Sequence, residues 1–281
     1  MSDTRVLRKN AVSYPFLFSI CTIVNKNDEY AAMKNSFVAC GFTEGCEYII
    51  ADNSETNEFD AYQAIAGFLK TAKGKYIVIV HQDVLCIDQK DQLTGCLENL
   101  NNLDANWAIC GNAGGIAYHE DAMYINNAGK VKVSANLPAR VMSLDENFLV
   151  IRSDANLAVS ADLSGFHLYG TDLCLIADFL GYSAYVIPFM VKHLSYGNLK
   201  DLDTYIPVFV ETYGRKMRAR YVETTCTRFY LTNGRRKTKL YNSSMLLGII
   251  KVGQRIKQLF RLAKRGDYHK KVVSEEERLN H

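Results

Sequence analysis

No stretch of the 281-residue chain reaches the roughly 18 uninterrupted apolar residues of a membrane span, which argues against a spanning helix. Met1 to Asn10 is polar and mixed in charge. It lacks the apolar core of a secretory signal, so a cytoplasmic location is the expectation. The eight cysteines (Cys21, Cys40, Cys46, Cys86, Cys96, Cys110, Cys174 and Cys226) form no C-x-x-C pair, and the usual zinc and thioredoxin-type signals are therefore missing. Cys21 and Cys110 lie inside apolar, strand-like runs, as buried free thiols in a reducing compartment do. The phosphate-loop, dinucleotide-binding, nucleophile-elbow and H-E-x-x-H signatures are absent as well. No internal repeat is visible.

What is present is an ordinary globular composition, 48% apolar and 22% charged, which excludes a disordered polymer and a small disulfide scaffold. The length fits one domain of roughly 200–250 residues plus an extension. The formal charge of +3 conceals a division. Residues 215–271 hold 17 Lys/Arg against two acids, Glu223 and Asp267, whereas residues 1–214 hold 15 basic and 25 acidic residues. An acidic body thus carries a basic C-terminal arm.

Phe16–Val24 is a nearly continuous apolar run and reads as a strand buried on both faces. Glu47–Ala51 and Lys75–Val80 read as further strands, and Trp107–Gly111 as a fourth. Helical patterns over Glu29–Cys40, Asp60–Thr71 and Asp88–Asn101 separate them, with Gly74 as the stop of the second helix. Three strand–helix units in a row predict an α/β domain built on a parallel sheet, with ligands beyond the carboxyl ends of the strands. Those ends are polar: Asn25, Asp52-Asn53 and His81-Gln82-Asp83. Beyond Gly111 the pattern loosens. Short strands are expected within Asn112–Pro138, another in Ala139–Ile151, a helix over Leu173–Leu180 and a strand over Tyr182–Phe189. The chain then reads as helical from Asp201 to about Leu231, with a loop over Thr232–Lys239 and a last helix around Ser244–Lys264.

Few residues in this pattern suit chemistry. A carboxylate directly after an apolar strand, Asp83, suits a divalent cation or a helix start. Asp172, in Gly-Thr-Asp ahead of an apolar helix, suits a helix cap or a general base. Asp145-Glu146 is an acidic pair in apolar surroundings. His193 follows an apolar strand and suits a metal ligand or an ordinary loop histidine.

The order of these segments resembles the GT-A glycosyltransferases of family 2, in a bacterial branch with His-Gln-Asp where Asp-x-Asp is usual. Ser19–Asn25, Tyr48–Asn53, Ala72–Val84, Leu144–Val150, Gly165–Leu175 and Gly181–Ser195 carry the likeness, over about residues 16–200. The resemblance implies a GT-A, Rossmann-like, mostly parallel sheet with flanking helices. It implies a catalytic domain over 1–200, with a nucleotide-sugar half at about 16–115 and an acceptor half at about 116–200, followed by a helical basic region over 201–281. It implies a UDP-, GDP- or dTDP-sugar donor and a glycan or lipid-linked acceptor, in bacterial surface polysaccharide synthesis. Asn25, Asp52, Asn53 and Gln82 would contact the nucleotide. Gly114, Gly115, Asp145, Glu146 and His167 would shape the donor and acceptor sugar sites. Asp83 and His193 would hold Mn²⁺ or Mg²⁺, and Asp172 would be the base of an inverting displacement. His81 and Thr171 depart from the family pattern. A nucleotidyltransferase or other nucleotide-sugar enzyme, or a non-enzymatic carbohydrate- or nucleic-acid-binding protein, are the alternatives.

In the arm, Met245, Ile249, Val252, Ile256, Leu259, Phe260 and Ala263 share one helical face, with Lys257, Arg261, Lys264 and Arg265 opposite and Lys251 and Arg255 at its flanks. Residues 244–265 thus read as a basic amphipathic helix, packed on the domain or laid on an anionic membrane, where each basic residue adds up to roughly 1 kcal/mol. No nucleic-acid-binding motif occurs.

Overall fold

The computed structural model describes residues 13–195, 202–249, 251–253, 255–257 and 259–260. It opens with strand–helix alternation: β1 (Phe16–Val24), α1 (Asn27–Ala39), β2 (Cys46–Asp52), α2 (Ala61–Thr71), β3 (Gly74–Val80), a short β4 (Val84–Cys86), α3 (Lys90–Leu103) and β5 (Trp107–Gly111). Strands then dominate: β6 (Ala113–Ala117), β7 (Glu120–Asn127), β8 (Lys130–Val133), β9 (Ala139–Val141), β10 (Ser143–Leu144) and β11 (Phe148–Arg152). After them come α4 (Tyr169–Phe179), β12 (Ser183–Val186), β13 (Val191–His193) and α5 (Leu202–Lys216). The hairpin β14 (Arg220–Glu223) and β15 (Arg228–Leu231) and a short α6 (Arg235–Tyr241) follow. Contacts divide the chain into two compact units, Met1–Val210 and Glu211–His281.

The first unit is a mixed α/β structure. Its main sheet has seven strands in the order β2-β1-β3-β11-β5-β12-β9. β1 pairs in parallel with β2 and β3, and β5 with β12. β11 runs against β3 and β5, and β9 against β12. The expectation of a mostly parallel sheet therefore meets a mixed one, because β11 enters between two strands of the parallel set. The segment read as one strand over Ala139–Ile151 is divided. Asp145 accepts the Asn147 backbone N–H at 3.0 Å in a tight turn, which leaves β10 in a second sheet and β11 in the first. That second sheet runs β10-β6-β7-β13-β4, with β8 on the edge of β7.

Period-two alternation explains why the main strands are apolar throughout. On β3, Tyr76, Val78 and Val80 enter one core cluster with Met33 and Phe37 of α1 and Leu93, Leu97 and Leu100 of α3. Ile77 and Ile79 enter the other, with Ala61, Ile65 and Phe68 of α2 and Leu173 and Ala177 of α4. Helices thus cover both faces, and a strand between them has no polar side to show. All eight cysteines are free, five of them buried, which agrees with the expectation of unpaired thiols.

α2 starts at a capping box in which Asp60 and Gln63 bond each other's backbone N–H groups. It ends at Ala72, so Gly74 is not its stop. Gly74 opens β3, and a Cβ there would lie 2.5 Å from the Ser19 backbone nitrogen. Its missing side chain lets β3 close on β1.

The second unit is less helical than expected. α5 ends at Lys216, and Arg220–Leu231 forms a hairpin with Tyr221 opposite Tyr230, their ring centroids 4.8 Å apart. β-branched and aromatic residues on both sides of a Thr-rich turn favour strands. The expected loop over Thr232–Lys239 contains most of α6. The last helix is present at 244–249, 251–253, 255–257 and 259–260, whereas Ala263, Lys264 and Arg265 lie outside the described residues. Among the described residues no helix is long and apolar enough to cross a membrane.

Gly74→Ala should lower stability by about 1–3 kcal/mol, as overpacking against a fixed backbone does. Urea unfolding of the purified chain measures this, and an unchanged midpoint would show that β1 and β3 have room to part.

Candidate metal and active site

The polar ends of β1, β2 and β3 collect at one end of the main sheet, and the second sheet adds His193. β13 pairs with β4 so that His193 faces Val84, and the Leu194 N–H bonds the Asp83 carbonyl at 3.0 Å. This register brings His193 Nε2 to 3.3 Å from Asp83 Oδ2. His81, two residues before Asp83, completes a group whose candidate ligand atoms all lie within 4.8 Å of one another. Two donors sharing an ion at about 2.1 Å each, at tetrahedral or octahedral angles, stand roughly 3.0–3.4 Å apart. The Asp83–His193 separation fits that spacing. Burial works against the Asp83 charge, but hydrogen bonds from His193 and Ser195 and the nearby imidazoles hold its carboxyl well below the usual carboxylate range. His81 is pulled the other way, its pKa lowered by burial and by His193, so its ring favours the neutral form that ligates metals. Two imidazoles and a carboxylate are a chemically sound donor set for a first-row divalent ion.

Tyr169, on the first turn of α4, orients His81. Its hydroxyl lies 2.8 Å from His81 Nε2 and 3.3 Å from the Glu146 carbonyl oxygen. Burial pushes the phenol well above its ordinary pKa, so it keeps its single proton. With that proton on the carbonyl, which can only accept, His81 Nε2–H donates to the phenol oxygen. Nδ1 is left with the ring's lone pair. A partner that fixes an imidazole's tautomer in this way commonly tunes ligation.

Glu146 sits at the same helix start. Burial is the main cause that raises its carboxyl from 4.5 to about 7, and the Asp145 charge adds to it. Backbone N–H groups, including those of Leu168 and Gly170, pull the other way. Leu168 holds the left-handed conformation (φ 66°), and a Cβ on Gly170 would lie 2.4 Å from the Leu144 carbonyl oxygen. The close approach of β10 to this turn therefore requires glycine. Asp145 is exposed and contributes to the field at His81, as does half-buried His167, whose ring centroid is 5.4 Å from that of Tyr205.

Asp172, expected as the base, is 0% exposed. Its carboxylate accepts the Ser160 backbone N–H at 2.8 Å and the Ser160 hydroxyl. A carboxylate so enclosed anchors the 160 segment to α4 from the helix's fourth residue, and it does not cap α4, whose N-cap is Leu168 with no side-chain bond. The nucleotide candidates divide. Asp52 is exposed, and hydrogen bonds from the Ser54 side chain and from its backbone N–H lower its pKa. Asn53 is buried and ties its side-chain amide to both backbone groups of Phe59. Gln82 turns back to bond the Asn25 and Lys26 N–H groups and the Asn25 side chain, and so shapes the β1–α1 turn. Gly114 and Gly115 are packed against Ser143, where a Cβ on Gly114 would meet its carbonyl at 2.3 Å. Their missing side chains serve the β6–β10 ladder.

Tyr169 escaped the reading of the sequence, and His81 was placed at a polar strand end without being read as a metal ligand. His81 shares a two-residue spacing with Asp83, which was a usable signal. Tyr169 offered none, since its partner lies 88 positions away. Asn112, 0% exposed at the end of β5, leaves both side-chain polar atoms without a partner, as Asn147 leaves its Oδ1. Such buried groups at a sheet end invite water or ligand.

An α/β unit with a candidate His-Asp-His metal centre at its strand ends is thus the class of protein the geometry defines. No family model matches the chain. Over 186 residues, 63% of this chain and 75% of the other, it is 37% identical to the "ATP synthase subunits region ORF 6" protein of Fuscovulum blasticum, and it belongs to that protein's family. Solved structures give looser overlaps. A197 from STIV aligns at 14% identity and a TM-score of 0.39 over 63% of this chain and 84% of that one. S. aureus TarS aligns at 10% identity and 0.43 over 70% of this chain and 39% of that one. Overlaps this loose transfer no residue role.

Two outcomes test the site. Tyr169→Phe should weaken Mn²⁺ binding about 10–100-fold, measured by calorimetry on the folded protein, and an unchanged affinity would remove Tyr169 as the tautomer lock. The raised Glu146 pKa makes the folded state bind a proton that the unfolded state has released, so stability is lost as pH rises from 4.5 through about 7. Glu146→Gln should therefore gain on the parent protein by on the order of 1–3 kcal/mol between pH 5 and 8 in EDTA, after allowance for solvent screening. Parallel melting curves across that range would contradict the shift.

Proposed function

We propose that the chain is an inverting glycosyltransferase of the GT-A kind, taking a sugar from a nucleoside-diphosphate donor to a hydroxyl of a glycan or lipid-linked acceptor. Bacterial surface polysaccharide synthesis is the setting the resemblance suggests. The observation that carries the proposal is the convergence of His81, Asp83 and His193 at the polar end of the sheet, linked through the Tyr169 hydroxyl to the backbone of Glu146. A metal-binding group and a carboxyl with a pKa of about 7 are the two devices such a transfer needs.

In this proposal His81, Asp83 and His193 hold a divalent ion. Bound there, the ion would neutralise charge on the departing diphosphate. Two imidazoles in the set shift the choice from Mg²⁺ toward Mn²⁺ or another first-row ion. Asn25 and Asp52, at the ends of β1 and β2, contact base and ribose, and Gln82 holds the turn that presents them. Glu146 replaces Asp172 as base. Its carboxylate takes the proton of the acceptor hydroxyl as that oxygen bonds the anomeric carbon, and the bond from that carbon to the diphosphate oxygen breaks. The buried Asn112 and Asn147 amides are suited to sugar hydroxyls.

Incubation with UDP-, GDP- and dTDP-sugars and Mn²⁺ tests the reading through the product. Release of nucleoside diphosphate, lost by at least about 10²-fold in Glu146→Gln, is expected. Pyrophosphate release in a parallel incubation with a nucleoside triphosphate and a sugar 1-phosphate would instead identify a nucleotidyltransferase, and the absence of nucleotide-sugar binding would defeat both.

A further inference from the structure

We propose that the last helix of the second unit is an interfacial anchor that lays its apolar stripe into an anionic lipid surface. Met245, Ile249, Val252, Ile256, Leu259 and Phe260 all lie on one face and are between 48% and 75% exposed. Scattered apolar side chains on a surface need no explanation, but six on one stripe form a contiguous patch that water does not favour. Lys251, Arg255 and Lys257 are exposed on the same helix. The segment around it, 215–271, carries 17 basic residues against two acids.

These two features select the occupant. Nucleic acid rewards the basic residues through its phosphates and leaves the apolar stripe in water. An anionic bilayer satisfies both, the stripe entering the acyl boundary while lysine and arginine stems reach back to the headgroups. A second copy of the helix is a poorer partner. The stripe has the 3–4 spacing of a coiled coil, but Leu246, Gly248, Gly253, Arg255 and Phe260 fill the flanking positions, with no opposite charges to pair. Two such arms side by side would bring like charges together. The inference stands apart from the proposed transfer reaction, and either can fail without the other.

Vesicle sedimentation of the full chain tests it, with phosphatidylcholine alone and with about 30 mol% phosphatidylglycerol added. The parent protein should pellet with the anionic vesicles, weakly or not at all with the neutral ones. Ile249→Ser combined with Ile256→Ser leaves the charge unchanged and should reduce binding about tenfold or more. Lys251→Glu combined with Arg255→Glu should do the same and keep the apolar stripe. Both variants should retain the parent melting temperature, since the altered side chains are exposed. Binding that survives the Ser variant but not the Glu variant would overturn the anchor in favour of a purely electrostatic contact. Salt-sensitive binding to duplex DNA without vesicle binding would replace the bilayer with nucleic acid. A concentration-dependent dimer lost in the Ser variant, again without vesicle binding, would make the stripe a self-association surface.

Discussion

The arrangement depends on one carboxylate kept charged where burial disfavours it. Asp83 follows an apolar strand and is stable there only because His193 and Ser195 hydrogen-bond to it and His81 stands beside it. His193 reaches it because β13 runs along β4 in a single register, and β4 follows directly from β3. The second sheet is therefore the part that turns a polar strand end into a site. If β13 slipped by one residue, His193 would face the opposite side of its strand and the group would be lost.

The same economy governs the helix start at Tyr169. One turn of α4 places a phenol on His81, backbone N–H groups on Glu146 and, three residues on, Asp172 against Ser160. Gly170 permits it by letting the Leu144 carbonyl come close. The two acids at this turn end with opposite tasks. Asp172 is enclosed with both oxygens bound and serves structure. Glu146 is left half-buried with its proton loosely held near neutrality, which suits proton transfer.

Much of the first half of the fold was legible, since strands covered on both faces must be apolar throughout, and β1, β3 and β5 read that way. The polar strand ends and Asp83 followed from them. The insertion of β11 between β3 and β5 was not legible, because nothing in Phe148–Arg152 distinguishes a strand that runs with its neighbours from one that runs against them. Gly-Thr-Asp looks the same whether its Asp caps a helix, serves as a base or, as Asp172 does, holds a distant Ser160, and only the fold shows the last. Tyr169 and Asn112 depend on partners far away in the chain. The hairpin at Arg220–Leu231 was hidden by the basic residues around it, which read as a continuing helix.

The central claim, that His81, Asp83 and His193 form one metal centre, is tested most directly by anomalous diffraction from crystals equilibrated with Mn²⁺. The account predicts a single strong peak bonded to all three side chains, with His81 ligating through Nδ1 while Nε2 stays on Tyr169. No peak between these residues at saturating Mn²⁺, or a peak held only by surface carboxylates, would contradict it.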